Sequence, residues 1–300
     1  MISIVIPTYK RLTALQRCID SILPQAFDGL EVIVIDDCSL DETESYLRQL
    51  AGRFAFIRVI VNQQNGGVNY SRNRGIEKAT GKFILFLDSD DELMPGSLLK
   101  VKQTLETFPD RKHFLFIVSD REEEFRSLER VKDIAYETWL NGTTSGDYTH
   151  VVLASVMKKY LFFEEFRMFE YLNWLRIKKE TGPQLLVPIV VALRERDRSD
   201  SLTLNSRLQS VAVIRSKFES EKMFYSMYHE DLTKYNPDSL NLKLVHTMVL
   251  GAACDQKRAS RSLLSYANKA HIKILGSLLM LIPSSLLQYG IIKYSTLKKR

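Results

Sequence analysis

The chain has only three cysteines in 300 residues, Cys18, Cys38 and Cys254, and no CxxC spacing among them. That excludes a disulfide framework and a cysteine-ligated zinc site, and it fits a reducing compartment. No Gly-x-Gly-x-x-Gly follows any apolar run, so the dinucleotide-binding fingerprint of an oxidoreductase is missing. The N-terminus, MISIVIPTYK, has no basic stretch followed by a long apolar segment and cleavage site. It reads as a strand, so no signal peptide is expected and a cytoplasmic setting is. Internal repeats and low-complexity linkers are lacking. The last thirty residues contain no acid at all, yet they hold His271, Lys273, Lys293, Lys298, Lys299 and Arg300.

What is present suffices for a globular enzyme. Hydrophobic residues make up 45% of the chain and charged ones 26%, enough to bury a core and too few charges for general disorder. The length fits one large domain with an appendage, or two domains. A net charge of +6 suits nucleic acid, anionic lipid or a phosphorylated substrate, and the motifs must choose.

The first hundred residues alternate strand and helix patterns. Ile2–Ile6 is a β-branched run ended by Pro7. Leu12, Leu15, Ile19, Ile22 and Leu23 then recur at helical spacing. Residues 32–35 read as a second buried strand, and Ser39-Leu-Asp-Glu42 as a capping box opening a helix. Residues 56–61 give a third strand. Asn65-Gly66-Gly67 leads into a helix over 70–79, with Gly81 just past its end. A fourth strand covers 83–87, a helix carries Leu98, Val101 and Leu105, and a further strand covers 114–118. Strands separated by helices of this length specify a doubly wound, mostly parallel, Rossmann-like α/β sheet. Residues 122–136 read as a charged helix, 141–147 as a loop, 151–156 as a strand, 170–179 as a helix and 188–193 as a strand. From about Ser216 the pattern is helical.

In such a sheet, ligands bind beyond the carboxyl ends of the strands. Two acid clusters fall there: Asp36-Asp37 and Asp88-Ser89-Asp90-Asp91. Crowded carboxylates need a cation or hydrogen-bond donors to offset their repulsion. An Asp-x-Asp pair suits a hard divalent ion that keeps positions open for phosphate oxygens. Asp, Ser and Gly are also ordinary turn residues after strands, but three acids in four positions exceed what a turn needs. Arg72 and Arg74, just inside a helix start between the clusters, could hold a diphosphate together with the helix N–H groups; on their own they would pass for a solvated helix face.

The segments Ser3-Ile-Val-Ile-Pro-Thr-Tyr9, Val34-Ile-Asp-Asp-Cys-Ser39, Asn65-Gly-Gly67, Ser71-Arg-Asn-Arg-Gly-Ile76 and Phe86-Leu-Asp-Ser-Asp-Asp91 together resemble the family 2 glycosyltransferases of GT-A fold, in order and spacing. The resemblance covers the first hundred residues or so. It implies an inverting transfer from a nucleotide sugar, with UDP the commonest carrier. Carried over, Pro7, Thr8, Tyr9, Arg11 and Asn65 line the nucleotide pocket, Asp36 or Asp37 bonds the base, and Arg72 reaches base or diphosphate. Asp88 and Asp90 form the DXD motif, Asp90 as direct ligand of Mn2+ or Mg2+ and Asp88 nearer the ribose. The GT-A catalytic domain would span 1–215, its nucleotide-sugar half 1–105 and its acceptor half 106–215, with a helical C-terminal region at 216–300.

An inverting enzyme also needs a base for the acceptor hydroxyl. The family places an acid shortly before a helix carrying Trp-Leu-Arg. Here the stretch is Phe163-Glu-Glu-Phe-Arg-Met-Phe-Glu-Tyr-Leu-Asn-Trp-Leu-Arg176. Alignment on Trp174 puts the base at Glu170 with Phe169 in place of its acidic neighbour; alignment on Glu165 again selects Glu170, followed by Tyr171. Glu164 and Glu165 are the fallback, and an acid at a helix start is also simply favoured by the helix dipole. Relatives often carry a histidine where Asp197 stands, leaving Arg196 or Arg198 to meet phosphate.

Residues 274–292 carry no charge and are flanked by Lys or Arg, a length approaching a spanning helix. Ser277, Pro283, Ser284, Ser285, Gln288 and Gly290 dilute it, and an interfacial helix pair whose lysines meet anionic lipid is the better fit; packing on protein is the plainer alternative. Nucleic acid is not expected, since no module interleaves the basic residues with aromatics. Taken together the chain is expected at the inner face of the cell membrane, using a carbohydrate or lipid-linked saccharide as acceptor in surface polysaccharide synthesis. A nucleotidyltransferase would share the acids and the sheet, but residues 7–11 lack its glycine-rich loop. A glycosidase would need two carboxylates flanking the bond and no nucleotide pocket. A non-catalytic nucleotide-sugar-binding protein remains an alternative because the Glu-Asp pair is altered at Phe169.

Overall fold

The computed structural model describes residues 1–166, 170–194 and 210–297. Its sheet is built from β1 (Ile2–Thr8), β2 (Leu30–Asp36), β3 (Ile57–Val61), β4 (Phe83–Phe86), β5 (Glu92–Leu93), β6 (His113–Val118), β7 (Lys132–Ile134), β8 (Thr149–Leu153) and β9 (Gln184–Leu193). The order is β3-β2-β1-β4-β8-β6-β9-β5, with β7 also paired to β9. The first four strands are mutually parallel, Thr8 standing in register with Asp36 and Asp36 with Val61. β8 runs against both β4 and β6, and β5 and β7 run against β9. The sheet is therefore mixed. β9 is parallel to β6, so the ends of β1, β2, β4, β6 and β9 share one edge.

The uninterrupted apolar runs have a simple cause: both faces of the sheet are covered. Ile4, Ile6, Val32, Val34 and Leu85 pack with Leu15, Ile19, Leu47 and Leu98 on one face. Those partners come from α1 (Leu12–Ile22), α2 (Thr43–Arg53) and α4 (Ser97–Thr107). Val5, Ile33, Ile35, Ile84 and Phe86 pack on the other with Ile76, Met157 and Ile177, from α3 (Val68–Lys78), α6 (Ala154–Lys159) and α7 (Tyr171–Thr181). α3 lies against the sheet at Gly75, where an added Cβ would come within 2.5 Å of Val5 Cγ1 and 2.8 Å of Ile35 Cδ1.

Several local expectations are corrected. Ser39 does not cap α2; its hydroxyl turns to Asp36, and the Thr43 N–H is accepted by Asp41 Oδ1 at 2.9 Å. A hydrogen bond to a buried carboxylate outcompetes a solvent-exposed cap. Gly81 does not terminate α3. It lies against β1, donating to Ser3 Oγ at 2.9 Å, and a Cβ there would meet the Ser3 backbone nitrogen at 2.7 Å. Residues 122–136 are not a helix but single turns followed by β7, because β9 offers that segment an edge to pair with. The run 151–156 splits into the end of β8 and the start of α6.

The chain divides into two compact units, Met1–Tyr136 with Thr144–Asp197, and Glu137–Thr143 with Arg198–Arg300. A short helix, α5 (Tyr136–Leu140), lies at the first crossing. The second unit is helical: α8 (Val211–Tyr235), α9 (Pro237–Ala253), α10 (Lys257–Ser262), α11 (Ala270–Leu279) and α12 (Ser284–Leu297). Its interior is lined by Ile214, Phe218, Tyr225, Leu244 and Met248.

Candidate active site at the carboxyl edge of the sheet

β1 ends in Pro7 and Thr8, both buried, after which Tyr9 is exposed. Lys10 adopts φ 49°, and its N–H donates to Ser39 Oγ at 2.9 Å, tying this turn to the one after β2. Asp36, at the end of β2, accepts from the Ser39 hydroxyl and N–H on Oδ1. Burial raises its carboxyl above the ordinary range, with the Ser39 bonds pulling the other way. Asp37 is committed differently. Its Oδ1 accepts from Asn62 Nδ2 at 2.7 Å and Gly66 N at 2.9 Å, and its Oδ2 from Gly67 N at 2.7 Å. Asp37 thus clamps the loop that opens α3, in which Gly67 takes φ 90°, a conformation costly for any side chain. Asn65 is at the exposed tip of that loop, its amide donating to Asp37 O at 3.4 Å.

The Ser71–Ile76 motif divides its labour by helical spacing. Asn69 and Asn73 face the segment before α7: Asn69 Nδ2 donates to Phe163 O at 2.8 Å, and Asn73 exchanges bonds with the Phe162 backbone at 2.8 and 2.9 Å. Arg74, considered above as a phosphate contact, turns the other way and donates to Asn62 Oδ1 at 2.7 Å. It is occupied in buttressing the Asp37 clamp. Arg72 enters the site. It is buried, with Nη2 2.8 Å from Asp88 Oδ1 and Nη1 2.6 Å from Glu170 Oε1, over the Phe162 ring. One guanidinium therefore joins the acid after β4 to the acid just before α7. Arg72 Nε and Nη1 are both buried without a well-directed hydrogen bond, so the contact with Glu170 is an ion pair by proximity.

Asp90 pairs with Arg11 at 2.9 Å, and Asp91 approaches Arg194 at 3.9 Å. Although burial opposes it, Arg72, Arg194 and Arg11 hold the Asp88 carboxyl below the ordinary range. Asp91 goes the opposite way: burial, then the neighbouring Asp88 and Asp90 charges, push it up to about 8. Burial and the two neighbouring carboxylates thus disfavour the charged form of Asp91 even with three arginines nearby. That is the condition a divalent cation relieves. No group of three or more acids, histidines or cysteines among the described residues is arranged to hold an ion alone. Asp88 and Asp90 offer carboxylate oxygens of the kind a hard cation takes.

Most of the expected residues gather here. Asp88, Arg72 and Glu170 touch; Arg11 and Asp90 touch; Pro7, Thr8 and Asp36 are at the adjacent strand ends, and Asp37 and Asn65 in the loops beyond β2 and β3. Glu164 instead accepts from Asn73 at 2.9 Å and belongs to the wall. Phe169, Arg196, Asp197 and Arg198 lie outside the described residues. Sequence reading passed over Arg194, which also pairs with Asp147 at 3.0 Å. The strand-end rule could have found it, since it directly follows β9. It also missed a buried group beneath the site. His113 Nε2 and His150 Nδ1 are 2.9 Å apart, and His150 stacks on Trp174 at 3.8 Å. Burial holds both imidazoles well below their usual range and pulls Lys178 down to about 7.

A mixed α/β sheet with acids, arginines and a glycine-gated helix at one edge has the architecture of the GT-A nucleotide-sugar enzymes. The family model for glycosyl transferase family 2 matches residues 3–157, and the chain belongs to that family. It is 30% identical over 228 residues to a GalNAc(5)-diNAcBac-PP-undecaprenol beta-1,3-glucosyltransferase of Campylobacter jejuni, covering 74% of this chain and 73% of that one. Against YibD, an uncharacterized glycosyltransferase of Escherichia coli, it is 29% identical over 167 residues, 53% of this chain and just under half (48%) of the other. Staphylococcus aureus TarS 1-349 in complex with UDP superposes with a TM-score of 0.60 at 15% identity, covering 100% of this chain and 92% of that one. A Pyrobaculum calidifontis mannosyltransferase in complex with GDP-Man and Mn2+ gives 0.57 at 16%, covering 99% and 86%. These likenesses establish the GT-A-like fold.

Proposed function

We propose that the chain transfers a sugar, with inversion, from a nucleoside diphosphate to a hydroxyl of a carbohydrate or lipid-linked saccharide in bacterial surface polysaccharide synthesis. The observation that carries this is Arg72 bridging Asp88 and Glu170 at the edge where an open α/β sheet takes its ligands. UDP is the favoured carrier, because the TarS complexes hold UDP and UDP-GlcNAc. A lipid-linked acceptor is favoured by the Campylobacter relative, whose name specifies an undecaprenol-linked saccharide.

In this reading Pro7, Thr8 and Tyr9 line the base and ribose pocket. Asp36 is the better carboxylate for the base, since both Asp37 oxygens are taken by the loop clamp. Arg11, Arg72 and Asn65 would meet the nucleotide's phosphates and sugar. Asp88 and Asp90 would hold Mn2+ or Mg2+, which when bound supplies Lewis-acid offset of the charge on the departing diphosphate. Glu170 takes the proton of the acceptor hydroxyl as that oxygen attacks the anomeric carbon opposite the leaving group.

Two measurements test this. Transfer should collapse in EDTA and return with Mn2+ or Mg2+; unchanged transfer in EDTA would remove the metal from Asp90. Glu170→Gln should cut transfer by about a hundredfold or more while nucleotide-sugar binding persists. Wild-type rates in that variant would mean that Glu170 is not the base.

A further inference from the structure

Among the described residues, the last two helices of the second unit form a hairpin that concentrates exposed apolar side chains. α11 turns Ile272 and Gly276 inward, and Met280 just beyond it. At Gly276 an added Cβ would meet Met248 Cε at 2.4 Å and Leu264 Cδ2 at 2.7 Å, so the helix backbone sits directly on its neighbours. That packing leaves Ile274, Leu278 and Leu281 pointing out. On α12, residues 286, 289, 290, 293 and 294 form one exposed stripe at helical spacing. Ile274, Leu278, Leu281, Leu286, Tyr289 and Tyr294 are each between 56% and 76% exposed.

The shape of the hairpin decides what it can meet. No single helix among the described residues is long and apolar enough to cross a membrane, and the pair Ala270–Leu279 and Ser284–Ser295 is bent by 103°. The bend is held by protein contacts: Lys257 Nζ donates to Ile282 O at 2.8 Å and Gln288 Nε2 to Ala253 O at 2.6 Å. Straightening into a span would break both. A bent apolar face suits shallow burial at an interface.

Charge selects the partner. No Asp or Glu follows Asp255, while Lys257, Arg258, Arg261, Lys269, His271, Lys273 and Lys293 precede or lie on the hairpin, and the sequence ends in Lys298, Lys299 and Arg300. A second copy of this surface would bring like charges together. An anionic lipid headgroup layer would be attracted at roughly 1 kcal/mol per basic residue. We propose that α11 and α12 form a docking face for an anionic bilayer surface, with their leucines and tyrosines inserted and Lys273 and Lys293 at headgroup level. This goes beyond the transfer reaction and does not depend on it.

Flotation of the full chain with vesicles tests it, using phosphatidylcholine alone and phosphatidylcholine mixed with phosphatidylglycerol. The chain should float with the mixed vesicles, weakly with the neutral ones, and be released by high salt. Lys273→Glu with Lys293→Glu should weaken binding by at least about tenfold. Leu278→Ser with Leu281→Ser and Leu286→Ser should bring it close to background. The substituted side chains are exposed, so far-UV dichroism and thermal melting should match wild type, and the lysine pair keeps the test open if the leucine variant misfolds. Equal flotation with both vesicle types, or binding untouched by the lysine reversals, would overturn the assignment. So would a dimer in sedimentation that the leucine substitutions dissociate without any vesicle binding, or chain that salt cannot release.

Discussion

Individual side chains at the sheet edge have unequal duties, and substitution should separate them. Asp37 is spent on the loop that opens α3, so Asp37→Ala should leave the Gly66 and Gly67 N–H groups unpaired. That costs about 1–3 kcal/mol in a urea melt and loosens nucleotide binding. Arg72 shares its guanidinium between Asp88 and Glu170, so before donor arrives the base candidate is tied to a cation. A diphosphate that draws Arg72 toward itself frees Glu170. Initial-rate kinetics should then show ordered binding, donor first, with the nucleoside diphosphate competitive only against donor; random order would contradict that coupling. Lys178 gives a pH signature. Burial pulls its ammonium down to about 7, whereas an unfolded lysine titrates near 10.4. Between those values the unfolded state binds more protons, so this group's contribution makes stability rise with pH from about 7 to about 10. Lys178→Met should raise the melting temperature at pH 7 and flatten that rise, and an unchanged profile would show that the ammonium is relieved by its surroundings.

Elements were legible where one signal dominates. The runs at Ile2–Ile6, 32–35 and 83–87 needed no tertiary knowledge, because burial on both faces leaves almost no polar positions, Ser3 being the exception and bonded to Glu31. The acids after β2 and β4 followed from the same runs. Where two local signals compete, sequence alone chose wrongly. Ser39 had both a cap and a buried carboxylate within reach, and the carboxylate won. The 122–136 segment is charged enough for a helix, yet β9 offered it backbone hydrogen bonds. Arg74 looked like Arg72 in sequence, but two positions on a helix point it to another face. The packing of α3 shows the opposite case, in which a residue with no chemistry is indispensable. Gly75→Val places methyl groups against Val5 and Ile35, overpacking that should cost about 1–3 kcal/mol and displace Arg72. A thermal shift without loss of activity would mean that α3 can slide without disturbing the site.

For the molecule as a whole, the two units were readable to different depths. The first was announced by ordered motifs, and its GT-A-like fold agrees with that reading. The second carried only helical periodicity and charge, which reveal that helices exist but not which faces they hide. It took Gly276 against Met248 to show which leucines remain outside. The fixed elbow between α11 and α12 has a practical corollary. A hairpin whose form is set by Lys257 and Gln288 has no refolding to undergo on reaching lipid, so attachment and detachment should both be quick. How much of the protein is tethered at any moment would then follow the ionic strength and phospholipid make-up of the cell.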